Sequence, residues 1–576
     1  MKSRQSITAL LRPRVHAPTQ RGTTVNSTSS VRRRLLIGVG GAVATTLVLA
    51  GCANSSSTST DALDGVVIGT SDVITSLDPA GSYDNGSFAV MNQVYPFLMN
   101  TPYGSPDVKP DIATSAEFTS PTQYTVKLKS GLKFANGDAL TSSDVKFSFD
   151  RQIAIADANG PSSLLSNLKS TAAPDDSTVV FTLKSKNDQT FPQVLSSPAG
   201  PIVDEQVFSA TKVTSDADIV KGKPFAGQYS ISQYKAKELI QYTAFSGYKG
   251  LLGAPKTKSV TAQYFTDETA LKLAVQKGDV NVAYRSLSPT DLASLKKDDK
   301  LTVHDGPGGE IRYIVFNFDT MPYGAKTSEA DSAKALAVRK AVADSVDREA
   351  LSEDVYKGSY TPLYSPVPDG LTGSITPFKS LYGDGDGGPD ADKAKSTLTA
   401  AGVTTPVTLN LQFTPDHYGA SSDDEYALIK KQLEDTKLFK VNIQSTIYDE
   451  YSTERTKDSY PLYQLGWFPD YSDADNYLTP FFLPSPGADG KPLDGGFLLN
   501  HYNNPKVDAL IEAQRSETDT AARTKDIEQI QTLEAGDIST LPLLQGAQVA
   551  VSGKDVKGVD DALDASFKFR YATLSL

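Results

Sequence analysis

The sequence is poor in the residues that build disulfides and histidine-based metal sites. Its 576 residues include one cysteine, Cys52, and four histidines. A single thiol forms no disulfide within the chain, so burial of apolar surface must stabilise the fold. No Gly-x-Ser-x-Gly motif is present, and no two histidines stand at the spacing of paired metal ligands. We therefore expect no metal, no cofactor and no enzymatic activity; the four histidines are His16, His304, His417 and His501.

Long apolar runs are also scarce. Residues 35–50 form an uncharged run of 16 residues behind Arg32-Arg33-Arg34. A membrane-spanning helix needs roughly 20 residues, so this run predicts a signal peptide over residues 1–51. Both the general and the twin-arginine export routes fit the arginine run. The string Leu49-Ala50-Gly51-Cys52 resembles the lipobox of bacterial lipoproteins, which implies a lipid on Cys52 that anchors the protein to the cell membrane from outside the cytoplasm. Residues 52–60 then read as a flexible tether.

Positive charge is in short supply. Without residues 1–51, which carry eight basic residues and no acidic ones, 48 Lys and Arg face 68 Asp and Glu, a formal charge of −20. Such a chain repels phosphate backbones, so we expect no nucleic-acid partner. The roughly 520 residues that remain exceed what one hydrophobic core supports, and at least two lobes are expected.

Hydrophobic patterning predicts a mixed α/β protein. Tyr124, Val126 and Leu128 alternate with polar residues, as in a half-buried strand. Thr141 and Asp144 stand at the spacing of a helix capping box. Beyond residue 224, helices and strands alternate in the manner of an α/β layer. Among the predicted elements are a helix over 266–277 and strands over 312–318, 461–467 and 548–552.

Several segments, in order, resemble blocks of a known family. The family is that of the extracellular solute-binding proteins of peptide and nickel ABC importers, which includes dipeptide- and oligopeptide-binding proteins. The resemblance runs over nearly all of the chain beyond the tether. The segments are Leu77-Asp78-Pro79-Ala80 and residues 109–113, 132–145, 269–280, 338–348 and 466–477.

The resemblance implies a two-lobed fold that closes around a solute by a hinge motion. The implied fold class is α/β, periplasmic-binding-protein-like (type II, cluster C), with an extra hairpin-rich subdomain in the first lobe. The implied division assigns residues 61–112, 224–318 and 541–576 to the first lobe, 113–223 to its accessory subdomain and 319–540 to the second lobe.

The resemblance also implies where a peptide would bind. Asp470 matches the family aspartate that pairs with the free amino group of a bound peptide. A carboxylate there restores the charge balance of a buried ammonium through a charge-assisted hydrogen bond. Backbone groups of Gly466, Trp467 and Phe468 could pair with an extended peptide as an added strand. Trp467 could equally be a core residue.

Two further residues are candidates for ligand contacts. His417 lies in a loop 53 residues before Asp470, near where relatives place the arginine or histidine that meets the peptide's carboxyl end. A plain exposed loop histidine is the alternative. Tyr83 follows the first-lobe motif and could line the cleft from the other side.

The implied partners are a peptide or similar small solute, and a membrane permease with its ATPase subunits. We expect the protein to act as a monomer. Two other classes remain open at this stage. One is the same fold with a non-peptide solute, such as a metal chelate or an oligosaccharide; the other is a secreted lipoprotein hydrolase.

Overall fold

The computed structural model describes residues 65–419, 421–486, 492–564 and 568–576. The predicted signal peptide, Cys52 and the tether lie outside these residues and stay predictions. None of the helices in the described ranges has both the length and the apolar character needed to cross a membrane.

The strands of the described residues form one large mixed sheet and three smaller ones. They are β1 (Val66–Thr70), β2 (Met99–Asn100), β3 (Lys109–Pro110), β4 (Ala113–Ser120), β5 (Gln123–Leu128), β6 (Leu168–Asp175), β7 (Thr178–Leu183), β8 (Tyr229–Lys235), β9 (Leu239–Ala244), β10 (Ser259–Tyr264), β11 (Val282–Tyr284), β12 (Leu301–Phe316), β13 (Tyr360–Pro362), β14 (Val407–Phe413), β15 (Phe439–Ser445), β16 (Leu462–Trp467), β17 (Ser485–Pro486), β18 (Pro492–Leu493) and β19 (Thr540–Gly553).

Helices alternate with these strands, most regularly in the second half of the chain. They are α1 (Asn85–Val94), α2 (Ser142–Ile155), α3 (Phe191–Val194), α4 (Asp216–Gly222), α5 (Glu268–Lys277), α6 (Pro289–Leu295), α7 (Ser332–Ser345), α8 (Arg348–Ala350), α9 (Pro377–Leu381), α10 (Ala391–Ala400), α11 (Ser422–Asp435), α12 (Tyr448–Arg455), α13 (Thr479–Phe482), α14 (Pro505–Ser516), α15 (Thr520–Asp537) and α16 (Val559–Ala562). Short 3₁₀ turns at Pro79–Gly81 and Ala474–Tyr477 lie close to the candidate site.

The large sheet joins two lobes. Its strand order is β15-β14-β16-β12-β19-β11-β1-β10-β9-β8, with β13 added beside β19. One core packs around β1, α1 and β8–β10, and a separate core packs around α7, α11 and β14–β16. A third core lies beneath the four-stranded sheet β4-β5-β7-β6. The predicted mixed α/β, two-lobed fold is confirmed.

The strands β12 and β19 run from one lobe into the other and are longer than the sequence predicted. The predictions of 312–318 and 548–552 were wrong in extent, because the two strands hold 16 and 14 residues. Their pairing shifts register between Gly306 and Glu310, where Gly308 passes so close to Gly546 that a side chain at Gly308 would collide with the carbonyl oxygen of Gly546. In the sequence, the glycines and proline at this point indicate the end of a strand. In the structure they form a bulge within a continuous strand.

Local signals in the first half of the chain are confirmed. Thr141 and Asp144 form the predicted capping box at the start of α2, with reciprocal bonds between side chain and backbone. Tyr124, Val126 and Leu128 are buried on one face of β5. Turn and cap chemistry is local, which is why the sequence alone reveals it.

Candidate ligand-binding site

The candidate site is built on the loop that follows β16. β16 ends at Trp467, and beyond it the backbone N–H of Asp470 donates to Asn476 Oδ1 at 2.9 Å. Asp473 caps the 3₁₀ turn Ala474–Tyr477 and is gripped by both terminal nitrogens of Arg523, at 2.7 and 2.9 Å. A bidentate pair of this kind holds its partners in one geometry. The loop is therefore held both by its own side chains and by Arg523 of α15.

Asp470 is a buried carboxylate whose partners are neutral. Its residue is 8% exposed. The hydroxyl of Tyr83 donates to Oδ1, and the side-chain amide of Asn476 donates to Oδ2 at 3.0 Å. None of the described residues forms an ion pair with it. Burial raises the pKa of Asp470, and the two hydrogen bonds oppose that rise.

Tyr83 reaches Asp470 from the other lobe. It stands between the turn Pro79–Gly81 and α1, and that turn is fixed by Asp78, which receives two hydrogen bonds from Arg151 at 2.8 and 2.9 Å. Burial of the hydroxyl, followed by the charge of Asp470, raises the pKa of Tyr83, so the phenol stays protonated and donates. The bond between Tyr83 and Asp470 thus links the two lobes across the cleft.

A cavity of about 730 Å³ lies between the lobes at this point. A volume of this size is within the usual range for small-molecule sites. All six residues predicted from the sequence lie on its wall: Tyr83, His417, Gly466, Trp467, Phe468 and Asp470. The structure thus brings them together, while their roles toward a ligand stay predictions.

Trp467 lies on the cavity wall and is also held by the protein. Its indole N–H donates to Asn476 Oδ1 at 3.0 Å, and its ring packs edge-on against Phe481 and Phe497. The two readings of the sequence, core and pocket wall, therefore both describe this side chain.

His417 is held flat against an aromatic ring. It stacks on Tyr448 with ring centroids 3.6 Å apart and an interplanar angle of 6°. Burial lowers the pKa of His417, with Asp416 opposing that shift. An imidazole that is neutral near pH 7 offers a ligand carboxylate a hydrogen bond but no positive charge.

A second cavity of about 320 Å³ adjoins the first. The two share His417, Tyr418, Phe468 and Arg285. Sequence reasoning missed Arg285 and also Asn476, which holds Asp470 and Trp467 together. Asn476 lies inside the recognised 466–477 segment, so its position was visible but its bonds were not. Arg285 follows the end of β11, and no local pattern distinguishes it from a solvent-exposed arginine.

Two clusters outside the cleft bear on the other classes considered. His304 lies between Ser552 and Asp560 in the order of a hydrolytic triad, with Nε2 3.0 Å from Ser552 Oγ and Nδ1 2.6 Å from Asp560 Oδ1. However, Ser552 is 1% exposed, its hydroxyl donates to the carbonyl of Gly553, and it lines neither cavity. The serine hydroxyl is thus buried and engaged by the protein's own backbone.

The other cluster joins Asp319, Asp458 and His501 at the opposite end of β16. The side-chain ammonium of Lys326 lies 2.8 Å from Asp319 and 3.4 Å from Asp458. Asn317 also donates to Asp458, at 3.1 Å. The protein thus supplies its own cation here, and the cluster is explained as an ion-pair network.

Comparison with known proteins places this geometry in a family. The sequence model described as "Bacterial extracellular solute-binding proteins, family 5 Middle" matches residues 107–489. Two curated relatives are similar over most of their length. The probable D,D-dipeptide-binding periplasmic protein DdpA of Escherichia coli is 25% identical, over 86% of this chain and 91% of its own. Heme-binding protein A of Haemophilus influenzae is 27% identical, over 89% of this chain and 95% of its own.

A solved structure gives the same picture of the fold. That of HbpA2 from Haemophilus parasuis superposes with a TM-score of 0.72 at 21% identity, and covers 89% of this chain and 99% of its own. At 21% identity the structural similarity supports only the fold, and the family assignment rests on the match to the sequence model. Because that model spans well over half of the residues, this chain belongs to family 5 of the bacterial extracellular solute-binding proteins.

Proposed function

We propose that this protein captures peptides with a free amino terminus and delivers them to a membrane permease driven by ATPase subunits. The observation that carries the proposal is the buried carboxylate of Asp470, which lines the cleft with neutral partners only. Removing a carboxylate from water without a counter-charge is costly, so such a group attracts a cationic ligand. A peptide's terminal ammonium supplies that charge and three hydrogen-bond donors.

The backbone beside Asp470 is arranged to accept an extended chain. Trp467 pairs with Ile311 of β12 on one side of β16. On the other side, β14 pairs with β16 only at Leu462 and Tyr463. Beyond that point Gly466 lies on the cavity wall, and its carbonyl accepts a long hydrogen bond, 3.5 Å, from the hydroxyl of Tyr418. A peptide that displaced this bond could continue the sheet there by main-chain hydrogen bonds. Main-chain pairing reads backbone groups and accepts many side chains.

The remaining features of the proposal rest on the sequence and on what its family resemblance implies. A lipid on Cys52 holds the mature protein on the outer face of the cell membrane, and residues 52–60 tether it. The protein acts as a monomer and catalyses no reaction. Residues 61–112, 224–318 and 541–576 move as one lobe, carrying 113–223 with them, and residues 319–540 move as the other.

A non-peptide solute is the second candidate. The similarity to Heme-binding protein A favours a metal chelate in particular, since that relative matches 89% of this chain. Mass spectrometry of whatever co-purifies with the protein separates a peptide cargo from a chelate or an oligosaccharide.

The decisive experiment compares peptides with and without a free amino end. A mixed library of di- to pentapeptides and its N-acetylated copy are captured on the immobilised protein, and the retained molecules are identified by mass spectrometry. We expect the free-amine library to be retained preferentially. In Asp470→Asn we expect affinity to fall by about 1.5–3 kcal/mol, the contribution of a charge-assisted hydrogen bond.

Asp84→Asn is the matched control, because Asp84 lines the same cavity and caps α1. Asparagine caps a helix as well as aspartate does, so this change removes a cleft charge and keeps the helix start. Equal retention of the acetylated library, or an equal loss in Asp84→Asn, would contradict the role of Asp470.

A further inference from the structure

We propose that the second cavity binds a lysine or arginine side chain of the cargo at Glu310, so that the protein selects peptides with a basic residue behind the free amino end. The inference rests on the proposed function and deepens it, because it names a side-chain class for the peptide. Glu310 lies in β12 directly beyond the bulge of the strands that join the lobes, and it lines the second cavity and not the first.

The bulge determines where the carboxylate of Glu310 lies. Pairing between β12 and β19 resumes at Glu310, which stands opposite Gly546. A Cβ atom at Gly546 would lie 2.7 Å from the ring of Tyr360 and 3.3 Å from Glu310 Oε2, so the glycine makes room for both groups. Bulges commonly redirect a side chain beside a functional site. The strand thus presents Glu310 at the cavity wall together with Tyr360.

The carboxylate of Glu310 is only partly satisfied by the protein. Its Oε1 accepts a hydrogen bond from the hydroxyl of Tyr360 at 2.9 Å. Its Oε2 has no hydrogen-bond partner among the described residues, although the side chain is only 13% exposed. Both oxygens of a carboxylate accept hydrogen bonds. One of them therefore remains available to a donor that enters the cavity.

The counter-ion of Glu310 is distant and shared. Nη1 of Arg312 lies 3.8 Å from Glu310 Oε1, beyond hydrogen-bond distance, and the same guanidinium donates to Glu425 from two nitrogens at 2.7 and 3.0 Å. Arg285 also lines the cavity, but it forms its ion pair with Asp72, with Nε and Oδ1 3.6 Å apart. Burial raises the pKa of Glu310, and the charge of Arg312 is the largest effect that opposes the rise. An entering cation would favour the ionised form further.

Aromatic rings form much of the remaining wall of the second cavity. Tyr356, Tyr360, Tyr418 and Phe468 all line it. The guanidinium of Arg312 lies 5.3, 5.8 and 5.8 Å from the centroids of the three tyrosine rings, so these rings already accept one cation from the protein. A ring face attracts positive charge and also packs against an alkyl stem. Rings beside a carboxylate therefore suit both parts of a lysine or arginine side chain.

The charges on the wall of the second cavity favour a cation. Three carboxylates line it, those of Glu268, Glu310 and Asp416, and Arg285 is the one arginine or lysine among the described lining residues. Glu268 and Asp416 are exposed, so solvent and salt screen their charges. Glu310 is the least exposed of the three and should contribute most to the selection of a cation.

The second cavity is within reach of a ligand held at Asp470. Phe468 borders both cavities, and Asp470 follows it by two residues. An extended chain advances about 3.3 Å per residue, so a peptide that runs back along β16 from Asp470 brings its second or third residue over Phe468. Successive side chains of a strand point to opposite faces, so one of these two would enter the second cavity. Its volume of about 320 Å³ suits one side chain rather than a further molecule.

The test uses two series of tetrapeptides with a free amino end, with the variable residue second in one series and third in the other, and alanine elsewhere. The variable residue is lysine, arginine, Nε-acetyl-lysine or glutamate, and each peptide is titrated calorimetrically into the full-length protein at about 0.15 M salt. In one series, the lysine and arginine peptides should bind roughly 10- to 100-fold more tightly than the acetyl-lysine peptide, as expected for one charge-assisted contact. The glutamate peptide should bind most weakly. In Glu310→Gln the ratio should fall close to one, with the acetyl-lysine peptide bound as before.

Glu268→Gln is the matched control, because Glu268 lines the same cavity but is exposed. We expect this variant to keep the preference for the basic residue. Thermal unfolding shows whether each variant is folded. The comparison of lysine with acetyl-lysine in the unmodified protein needs no variant at all.

No preference for the basic residue in the unmodified protein overturns the inference. An unchanged preference in folded Glu310→Gln, or an equal loss in Glu268→Gln, overturns it as well. If peptides bind through Asp470 whatever the variable residue, only this inference fails. If neither these peptides nor the di- to pentapeptide library is bound, the proposed function fails with it.

Discussion

Two buried carboxylates of the second lobe have opposite surroundings. Glu425 in α11 is fully buried, and its Oε2 receives hydrogen bonds from Arg312 at 2.7 and 3.0 Å and from Tyr356 at 2.8 Å. Asp470 is nearly as buried but has only a phenol and an amide. Both side chains are buried, so burial alone does not separate them. The difference is that Glu425 has a counter-ion supplied by the protein, whereas none of the described residues supplies one to Asp470.

Breaking the paired carboxylate should have the largest effect. Glu425→Gln keeps the side chain's shape and leaves Arg312 buried without its main counter-charge. We expect the free energy of unfolding to fall by about 3–5 kcal/mol, the usual cost of breaking a buried ion pair from one side. Urea unfolding followed by circular dichroism measures it. A loss below about 1 kcal/mol would show that Glu310, 3.8 Å from Arg312, already compensates the charge.

A third carboxylate extends the comparison, because Glu534 is buried away from both cavities and forms no ion pair with any of the described residues. Glu534 in α15 accepts hydrogen bonds from Thr540 and Ser539 through one oxygen, while its other oxygen has no partner among the described residues. Burial raises the pKa of Glu534 to about 7. Its folded pKa exceeds the unfolded value, so its stabilising effect is complete below pH 4.5 and is lost as pH rises through about 7.

Glu534→Gln should therefore remove the part of the pH dependence of the unfolding free energy that Glu534 causes. Relative to the unmodified protein, the variant should gain roughly 1–3 kcal/mol of unfolding free energy between pH 5 and pH 8, since each pKa unit corresponds to about 1.4 kcal/mol. Unfolding by urea at the two pH values provides the measurement. If the unfolding free energy changes with pH equally in the two proteins, Glu534 is ionised throughout this range.

The smallest stability effect should come from the site itself. In the ligand-free protein, Asp470→Asn replaces a buried carboxylate that has no cation by a neutral amide of the same shape. We expect the unfolding free energy to change by no more than about 1 kcal/mol, because the loss of one of the two accepted hydrogen bonds is offset by removal of a buried charge that has no counter-ion. A loss of unfolding free energy as large as that in Glu425→Gln would show that Asp470 stabilises the fold. The proposed difference between the two carboxylates would then be wrong.

The parts of the fold that the sequence predicted are those that depend on neighbours along the chain. The capping box of Thr141, the alternation in β5 and the stop of α5 at Gly278, whose φ is 76°, are all set within a few residues. The full lengths of β12 and β19 could not be predicted, because a bulge stabilised by strand pairing looks like a loop in the sequence.

The residues of the candidate site also fall into a group that local sequence predicts and a group that it does not. Asp470 and its neighbours lie in one contiguous segment that resembles a family block, so they could be named in advance. The approach of Tyr83 and Arg285 depends on how the two lobes meet, and Arg285 also needs a backbone conformation that its residue type does not announce. Contacts between segments separated by hundreds of residues leave no periodic trace in either one.

The bulge shared by β12 and β19 has a mechanical consequence. At Gly308 and Gly546 the main chains of the two connecting strands approach closely, and the side-chain amides of Gln545 and Gln548 donate across the bulge to the carbonyls of Gly308 and Pro307 at 2.8 and 3.2 Å. Opening or closing of the cleft would therefore change backbone dihedral angles at the bulge and leave the packing of both hydrophobic cores unchanged. The energy that holds the molecule shut must then come from groups lining the gap, and a change at those few positions should alter how long a cargo stays inside.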